Sequence, residues 1–220
     1  MEKCRLCENE KLSEYYKLDD DSLFYSCDKC GFKQLPTPPA DQLDNVAAVE
    51  SISQDANRNT SPADMKINES IGLSGDMSRL AHVMRQDSIR INKTIKKLVD
   101  ESFSSSNGLK FIDIGSGYGH LSFNLKEEFP ELDIHLLEIS SERMKSGIKS
   151  FKPDLSEFTF HHCLLDDNFT NGHLEKFDIS FSFHVLEHVY NMKGFIKNMF
   201  AVTKKGGSMI VEVPNEDDDL

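Results

Sequence analysis

The sequence has no hydrophobic run that approaches the roughly 20 residues of a membrane-spanning helix. Its first residues, MEKCRLCENEK, are charged and lack the apolar centre of a secretory signal peptide. We therefore expect a cytoplasmic protein with no membrane partner. Internal repeats are also missing, and 220 residues suffice for one ordinary domain with a small additional module.

Basic residues are few as well. The 25 Lys and Arg residues are outnumbered by 37 Asp and Glu, which gives a formal net charge of −12 at pH 7. Nucleic-acid-binding proteins usually have the opposite balance, because contacts to phosphate require Lys and Arg. The composition therefore disfavours a nucleic-acid substrate, while 38% hydrophobic and 28% charged residues fit a globular protein.

Cysteine is scarce after residue 30, where only Cys163 remains, and concentrated before it. Two CxxC pairs, Cys4 with Cys7 and Cys27 with Cys30, have the spacing of a four-cysteine zinc site. Disulfides fit a cytosolic chain poorly, and a redox CxxC normally opens a helix of a thioredoxin-like fold, which nothing here resembles. We expect one structural Zn²⁺ with no open coordination position, and Cys163 in the core.

The polar stretches suggest where the chain divides. Apolar residues flank the sequence DDD between the two cysteine pairs, which predicts a hairpin that brings the pairs together. Residues 1–36 are thus predicted to form a small zinc-ribbon-like module. Residues 37–76 are polar with weak periodicity and are predicted to be a linker or a set of irregular elements.

Residues 77–220 are predicted to form an α/β domain with a Rossmann-like, doubly wound and mostly parallel sheet. A helical pattern over Met77–Phe103 is followed by alternating strand and helix patterns. The predicted strands are Lys110–Ile114, Asp133–Glu138, Glu157–Cys163, Asp178–Phe183 and Ser208–Val213. The predicted helices are Tyr118–Phe129, Ser141–Ser150, Asn191–Val202 and a turn of helix at Leu186–Val189. This βαβα order places ligands at the carboxyl ends of the strands.

Three glycines follow the first of these strands at alternate positions, in the sequence FIDIGSGYG. Gly115, Gly117 and Gly119 each lower stability, because glycine loses the most conformational freedom on folding. Their placement indicates that the backbone closely approaches a ligand. A dinucleotide-binding loop is the alternative, but its fingerprint is G-x-G-x-x-G. This loop is G-x-G-x-G, with Asp113 two residues ahead of it.

The acid-x-G-x-G-x-G pattern resembles that of the class I S-adenosylmethionine-dependent methyltransferases. The resemblance implies that the loop binds the methionine part of the cofactor and that an acid ending the second strand, Glu138, binds the ribose hydroxyls. One carboxylate can accept both hydrogen bonds of a vicinal diol. The resemblance implies these cofactor contacts around the first two strands: Asp113, Gly115, Ser116, Gly117, Gly119, Glu138 and Ile139.

Other segments resemble the same family. FDISFSFHVLEHV resembles the fourth strand and following turn of many small-molecule methyltransferases, and VTKKGGSMIVEVPN resembles their helix–turn–fifth-strand segment, which implies a turn at KKGG. In the family an aspartate after the third strand binds adenine. Here Asp166 is expected to do so, with the backbone of Leu164 or Leu165. The family's sheet has seven strands and this chain stops after the fifth, so a truncated sheet is expected.

The N-terminal cysteine pattern followed by PTPP resembles the zinc module of bacterial members that act on sugars or other metabolites. The resemblance thus implies methyl transfer to a small-molecule acceptor, with a sugar or nucleotide-sugar as the narrower expectation. His184 and His188, after the fourth strand, are the candidate general bases. His184 is also a candidate cofactor contact, and a structural role is the alternative for both.

Two other functions stay open from the sequence. One is a zinc-containing RNA methyltransferase, which the net charge of −12 disfavours. The other is a cofactor-binding scaffold without catalytic activity. The sequence leaves open the oligomeric state and whether oxygen, carbon or nitrogen is methylated.

Overall fold

The structure, a computed structural model, describes residues 2–17, 23–34, 77–103 and 105–214. The predicted linker at residues 37–76 lies outside this range, as do the DDD turn and the acidic terminus NEDDDL.

The N-terminal part forms a three-stranded antiparallel sheet in the order β1-β2-β3. Its strands are β1 (Leu12–Lys17), β2 (Leu23–Cys27) and β3 (Lys33–Gln34). The predicted pairing between the two cysteine pairs is confirmed, because β1 and β2 run antiparallel to each other along their lengths. Among the described residues before residue 35, only Cys4, Cys27 and Gln34 are buried, so this sheet has almost no apolar core.

The larger part begins with a long helix and continues as alternating strands and helices. The helices are α1 (Met77–Ser102), α2 (His120–Glu128), α3 (Ser141–Phe151), α4 (Asp167–Gly172) and α5 (Met192–Val202). The strands are β4 (Lys110–Ile114), β5 (Asp133–Leu137), β6 (Phe158–His161), β7 (Phe177–Phe183) and β8 (Thr203–Glu212). Short 3₁₀ turns cover Leu155–Glu157 and Leu186–His188.

The five strands form one sheet in the order β6-β5-β4-β7-β8, and every neighbouring pair is parallel. This is the Rossmann-like order, and the predicted fold class is confirmed. The direction of winding reverses between β4 and β7. In open sheets of this kind the ligand crevice lies at that reversal, outside the carboxyl ends of the strands.

Apolar side chains alternate between the two faces of the sheet. On β4, Phe111 packs with α1 and α2 on one face, while Ile112 and Ile114 pack with α4 and α5 on the other. Burial on both faces explains why the strands read as nearly continuous apolar runs. The sheet is therefore held by two apolar layers, and its carboxyl edge remains available for polar residues.

Two local features differ from the predictions. Strand β8 begins at Thr203 instead of Ser208, because the KKGG segment is accommodated as an irregularity in the pairing with β7 and not as a separate turn. Helix α4 was not predicted, since its six residues are too few to show a helical period. Among the helices in the described ranges, none has both the length and the hydrophobicity to cross a membrane.

Candidate functional site

The glycine loop joins β4 to α2 at the reversal point of the sheet. Gly115, Gly117 and Gly119 have φ angles of 75°, 56° and 74°, in the left-handed region that favours glycine. A Cβ atom on Gly119 would lie 2.6 Å from the Phe123 ring, and one on Gly115 would overlap Val185. A Cβ on Gly117 would meet nothing within 4 Å. Two glycines thus permit close packing, and Gly117 faces open space.

Glu138, which follows β5, is hydrogen-bonded to this loop. Its side chain is only 7% exposed, and its two carboxylate oxygens accept hydrogen bonds from the backbone N–H groups of Gly117, at 2.8 Å, and Ser140, at 2.7 Å. Each oxygen has a second lone pair, so the carboxylate can still accept two further donors. The predicted ribose ligand therefore also stabilises the loop.

Asp113 lies beneath the loop and is only 2% exposed. Burial raises the pKa of this carboxyl to about 7, against the hydrogen bond that it accepts from the Ser122 hydroxyl at 2.8 Å, and the charge of Glu138 adds to the rise. A large part of the Asp113 population therefore carries a proton near neutral pH. This carboxyl supports the loop from below and also reaches the cavity beside it.

A cavity of about 140 Å³ opens beside the loop. Oγ of Ser116 and both ring nitrogens of His120, two residues that line the cavity, are buried without a hydrogen-bond partner among the described residues. Unpaired buried polar groups are costly and rare, so these atoms suit a site that a polar ligand completes. The lining residues are Asp113, Gly115, Ser116, Gly117, Tyr118, His120, Leu121, Arg143, Phe183 and His184.

His184 lies across the cavity from the loop, after β7. Its φ of 52° is unusual for a residue with a side chain, and such backbone conformations cluster at functional sites. Nδ1 lies 3.7 Å from Oε1 of Glu187, and Nε2 lies 4.0 Å from Oε1 of Glu212. His188 is more exposed, and its Nε2 lies 3.9 Å from the same Glu187 oxygen. Both candidate bases thus adjoin one carboxylate.

The residues predicted to bind adenine lie farther along the sheet edge, after β6, and are not among those lining the cavity. Asp166 caps helix α4, because its Oδ1 accepts the backbone N–H of Phe169 at 2.8 Å. Leu165 is buried and its carbonyl oxygen accepts a hydrogen bond from Asn198, whereas Leu164 is exposed. Ile139 is half-buried beside Glu138. Their cofactor contacts stay predictions.

Four further residues shape the site without having been predicted. His120 and Arg143 line the cavity, and Arg90 on α1 donates to both carboxylate oxygens of Glu212, at 2.8 and 2.6 Å. The acid in the apolar sequence MIVEV was a signal for Glu212, since a charge within an apolar strand pattern is unusual. No local pattern marks Arg90, because its partner is 122 residues away.

The four N-terminal cysteines converge, and their sulfur atoms all lie within 4.8 Å of one another. The Sγ atoms of Cys4 and Cys30, and those of Cys7 and Cys27, are 3.6 Å apart, which is too long for disulfides. A tetrahedral Zn²⁺ with bonds of about 2.3 Å needs sulfurs about 3.8 Å apart, so the cluster fits this ion.

Cys27 is the member of the cluster best prepared to bind a cation. Burial raises the pKa of its thiol, but hydrogen bonds from the backbone N–H groups of Cys30 and Lys29 lower it to about 6. A thiolate is the form that ligates metals. The local backbone thus favours the metal-binding state.

The cysteine-bearing sheet contacts the larger part near the histidine turn. Glu8 accepts a hydrogen bond from Lys193 at 2.6 Å, and the Arg5 guanidinium lies 5.0 Å from the centre of the Tyr190 ring. Tyr190 follows His188 by two residues. The N-terminal sheet therefore lies on the side of the molecule where the histidines are.

Comparison with known proteins places this site in a family context. Residues 105–220, just over half of the chain, match the family described as "Methyltransferase domain". The ubiquinone biosynthesis O-methyltransferase of Rhodopseudomonas palustris is 28% identical over 116 residues, which are 52% of this chain and 43% of that protein. Its mitochondrial counterpart in Rattus norvegicus is 31% identical over 115 residues, with coverages of 50% and 32%. The chain spans less than half the length of these relatives.

Solved structures show likeness over part of the chain. A putative S-adenosyl-L-methionine-dependent methyltransferase from Methanococcus maripaludis is 18% identical and covers 60% of each chain with a TM-score of 0.47. A putative sarcosine dimethylglycine methyltransferase from Galdieria sulphuraria is also 18% identical, covering 58% of this chain and 48% of that one with a TM-score of 0.49. At this identity the likenesses say nothing about the substrate of this chain.

Proposed function

Because the chain belongs to the methyltransferase-domain family, we propose that it transfers a methyl group from S-adenosylmethionine to a small-molecule acceptor. The observation that carries this proposal is the glycine loop at the reversal point of the sheet, with open space at Gly117 and unpaired buried atoms beside it. When bound, the cofactor supplies a methyl group on a sulfonium, and the electron pair of the broken S–C bond stays on sulfur.

The residues present suit that cofactor. Glu138, at the end of β5, is not among the residues that line the cavity, but each of its oxygens has a second lone pair that can accept a hydrogen bond from a ribose diol. Ser116 and His120 offer a hydroxyl and a ring nitrogen to the polar amino-acid part of the cofactor, and Arg143 offers a positive charge for its carboxylate. Phe183 covers the cavity with an apolar ring. The site thus combines charged, polar and apolar contacts on one side of the sheet.

His184 is the base that we assign to the reaction. It lines the cavity, whereas His188 lies outside its lining residues. The acceptor's O–H bond breaks, its proton passes to the imidazole, and the oxygen forms the bond to the methyl carbon. A hydroxyl acceptor is our choice because the names of both curated relatives specify an oxygen.

The narrower proposal, a sugar or nucleotide-sugar hydroxyl, is carried only by the resemblance of the N-terminal module to sugar-modifying members.

For the N-terminal module we propose a structural role, with Cys4, Cys7, Cys27 and Cys30 holding one Zn²⁺ per chain. Four thiolates complete the coordination of the ion, so it has no position for a substrate. Metal analysis of the purified chain tests this assignment.

The function is tested by incubating the protein with methyl-tritiated S-adenosylmethionine and three acceptor sets: simple phenols and catechols, nucleotide-sugars, and transfer RNA. We expect label in a small molecule. His184→Gln should lower the rate by at least about 100-fold while binding of S-adenosylhomocysteine is retained. Label in RNA would replace the proposal with the RNA-methylating alternative. Binding of S-adenosylhomocysteine without transfer to any acceptor would favour the scaffold.

A further inference from the structure

Five side chains form a row of alternating charge character beside the cavity: Arg90, Glu212, His184, Glu187 and His188. We call them the charge row. They come from α1, from the end of β8 and from the turn after β7. His184 occupies the middle, with Oε1 of Glu187 at 3.7 Å from Nδ1 and Oε1 of Glu212 at 4.0 Å from Nε2. Its imidazole thus faces one carboxylate at each ring nitrogen.

A neutral imidazole cannot present an N–H group to both carboxylates, because one of its ring nitrogens carries the proton and the other carries a lone pair. We therefore expect the proton on the nitrogen that faces the carboxylate whose negative charge is less compensated by other groups. The two distances differ by too little to decide this. The partners of the two carboxylates decide it instead.

Glu212 already forms an ion pair with a cationic side chain. Arg90 donates to its two oxygens at 2.8 and 2.6 Å, in the bidentate arrangement that is the strongest pairing of these groups. The Arg90 guanidinium is also held over the Phe183 ring, 5.7 Å from its centre. The charge of Glu212 is thus compensated at its oxygens before it can attract a proton on His184.

Glu187 has no comparable partner. Within the part of the chain that the structure describes, its charged contacts are the rings of His184 and His188. The His188 side chain is 73% exposed and that of His184 is 42% exposed, so water satisfies the ring nitrogens of His188 more readily. Glu187 therefore attracts a proton on Nδ1 of His184.

We propose that Glu187 is a positioning residue that keeps the proton of neutral His184 on Nδ1, so that the lone pair lies on Nε2. Arg90 strengthens this preference for Nδ1, because it compensates the charge of Glu212 and so weakens the attraction of Glu212 for a proton on Nε2. The inference rests on the proposed role of His184 as the base. In that role the acceptor's hydroxyl proton bonds to Nε2 as the O–H bond breaks, while Nδ1–H remains directed at Glu187.

Nuclear magnetic resonance tests the proposal without an acceptor. A long-range ¹H–¹⁵N spectrum of the whole chain, recorded at about pH 9 where ordinary imidazoles are neutral, distinguishes protonated from unprotonated ring nitrogens. His184→Gln assigns the signals. We expect the wild-type protein to show Nδ1–H, Glu187→Ala to lose that signature, and Arg90→Gln to move the proton toward Nε2, because Glu212 is then uncompensated.

The matched control is Lys97→Gln, which removes a positive charge from the same helix at a position whose ion pair, within the described residues, is with the exposed Glu101. Its spectrum should equal that of the wild type. An Nε2–H form in the wild type, or an Nδ1–H form that survives in Glu187→Ala, would overturn the proposal. The wild-type and Arg90→Gln spectra decide the matter even where Glu187→Ala does not fold.

The same samples are titrated with S-adenosylhomocysteine, which separates the two ideas. An Nδ1–H form in a protein that does not bind S-adenosylhomocysteine would refute the proposed function and leave the positioning intact. Binding of S-adenosylhomocysteine by a protein whose His184 carries its proton on Nε2 would refute the positioning by Glu187 and leave the proposed function intact.

Discussion

The N-terminal sheet and the parallel sheet differ in what holds their strands together. In the antiparallel sheet, five of the six residues of β1 are exposed. In the parallel sheet, β4 and β5 each bury four of their five residues. Burial of apolar surface is the main stabilising term in folding, and the N-terminal sheet has very little of it.

With the proposed Zn²⁺ held by the four cysteines, the two sheets would have different sources of stability. A three-stranded sheet without a core is not stable alone, and the free energy of metal binding can supply what is missing. The parallel sheet needs no such ligand for its strands. It can therefore hold His184 in an unfavourable backbone conformation at its carboxyl edge, because the surrounding packing compensates for the cost.

The largest effect should follow removal of the proposed Zn²⁺. Excess chelator, or Cys27→Ser in the cluster, should abolish protection of β1 and β2 from hydrogen exchange, because no apolar core remains to hold them. Amides of β4 and β5 should keep their protection in the same sample. If β1 stays protected in a metal-free sample, the N-terminal sheet does not depend on a metal. Cys163→Ser is the control, since Cys163 lies outside the cluster.

The buried Asp113 should make the stability of the parallel sheet depend on pH. Its folded-state pKa is raised to about 7 from the ordinary value of 3.8, so the folded protein binds the proton more tightly than the unfolded chain does. Stability from this group is therefore lost as pH rises between about 4 and 7. Asp113→Asn removes the effect.

Urea unfolding at several pH values measures this contribution. The free energy of unfolding of Asp113→Asn minus that of the wild type should rise by about 2–3 kcal/mol between pH 5 and pH 8. A difference that does not vary with pH would show that Asp113 ionises normally. Because Asp113→Asn and the wild type share all histidines, histidine titration cancels in the comparison.

A smaller loss should come from the contact between α3 and the glycine loop. A Cβ on Gly147 would overlap the carbonyl oxygen of Tyr118, which is backbone and cannot move aside. Gly147→Ala should therefore cost about 1–3 kcal/mol of unfolding free energy and shift the loop. Gly172→Ala, where a Cβ meets nothing within 4 Å, should cost nothing. Equal stability of the two variants would contradict this packing.

The smallest effect should come from the ion pair between the two parts of the chain. Lys193 lowers the pKa of Glu8 by a hydrogen bond and by its charge, but both side chains are largely exposed. Exposed ion pairs contribute little to stability. Glu8→Gln should leave the thermal unfolding midpoint of the parallel sheet unchanged within error. A clear decrease would mean that the two sheets stabilise each other.

Features that depend on neighbouring residues were predictable from the sequence. The alternation of strand and helix patterns predicted the parallel sheet, and the two CxxC pairs predicted that four sulfurs converge. The spacing of Gly115, Gly117 and Gly119 predicted a ligand-facing loop, although only the structure shows that Gly117 alone faces open space. Such signals lie within a few residues of one another along the chain.

Features that depend on distant residues were not predictable. The Arg90–Glu212 pair joins α1 to β8, and no local pattern relates two residues so far apart. His120 lies within the predicted helix Tyr118–Phe129, and its unpaired ring nitrogens become apparent only when the neighbouring helices are in place. The KKGG segment read as a turn, and pairing with β7 keeps it in the strand. In each case tertiary contacts override the local pattern.

Calorimetric titration with S-adenosylhomocysteine, on the wild type, Glu138→Ala and Glu138→Gln, decides whether the crevice at the glycine loop is a cofactor site. We expect the wild type to bind and Glu138→Ala to bind more weakly by about 1.5–3 kcal/mol, roughly 10-fold to 150-fold in Kd, because charge-assisted hydrogen bonds are lost. Glu138→Gln should fall between them, since it keeps one acceptor oxygen. A wild-type protein that does not bind, or three equal affinities, would contradict the account.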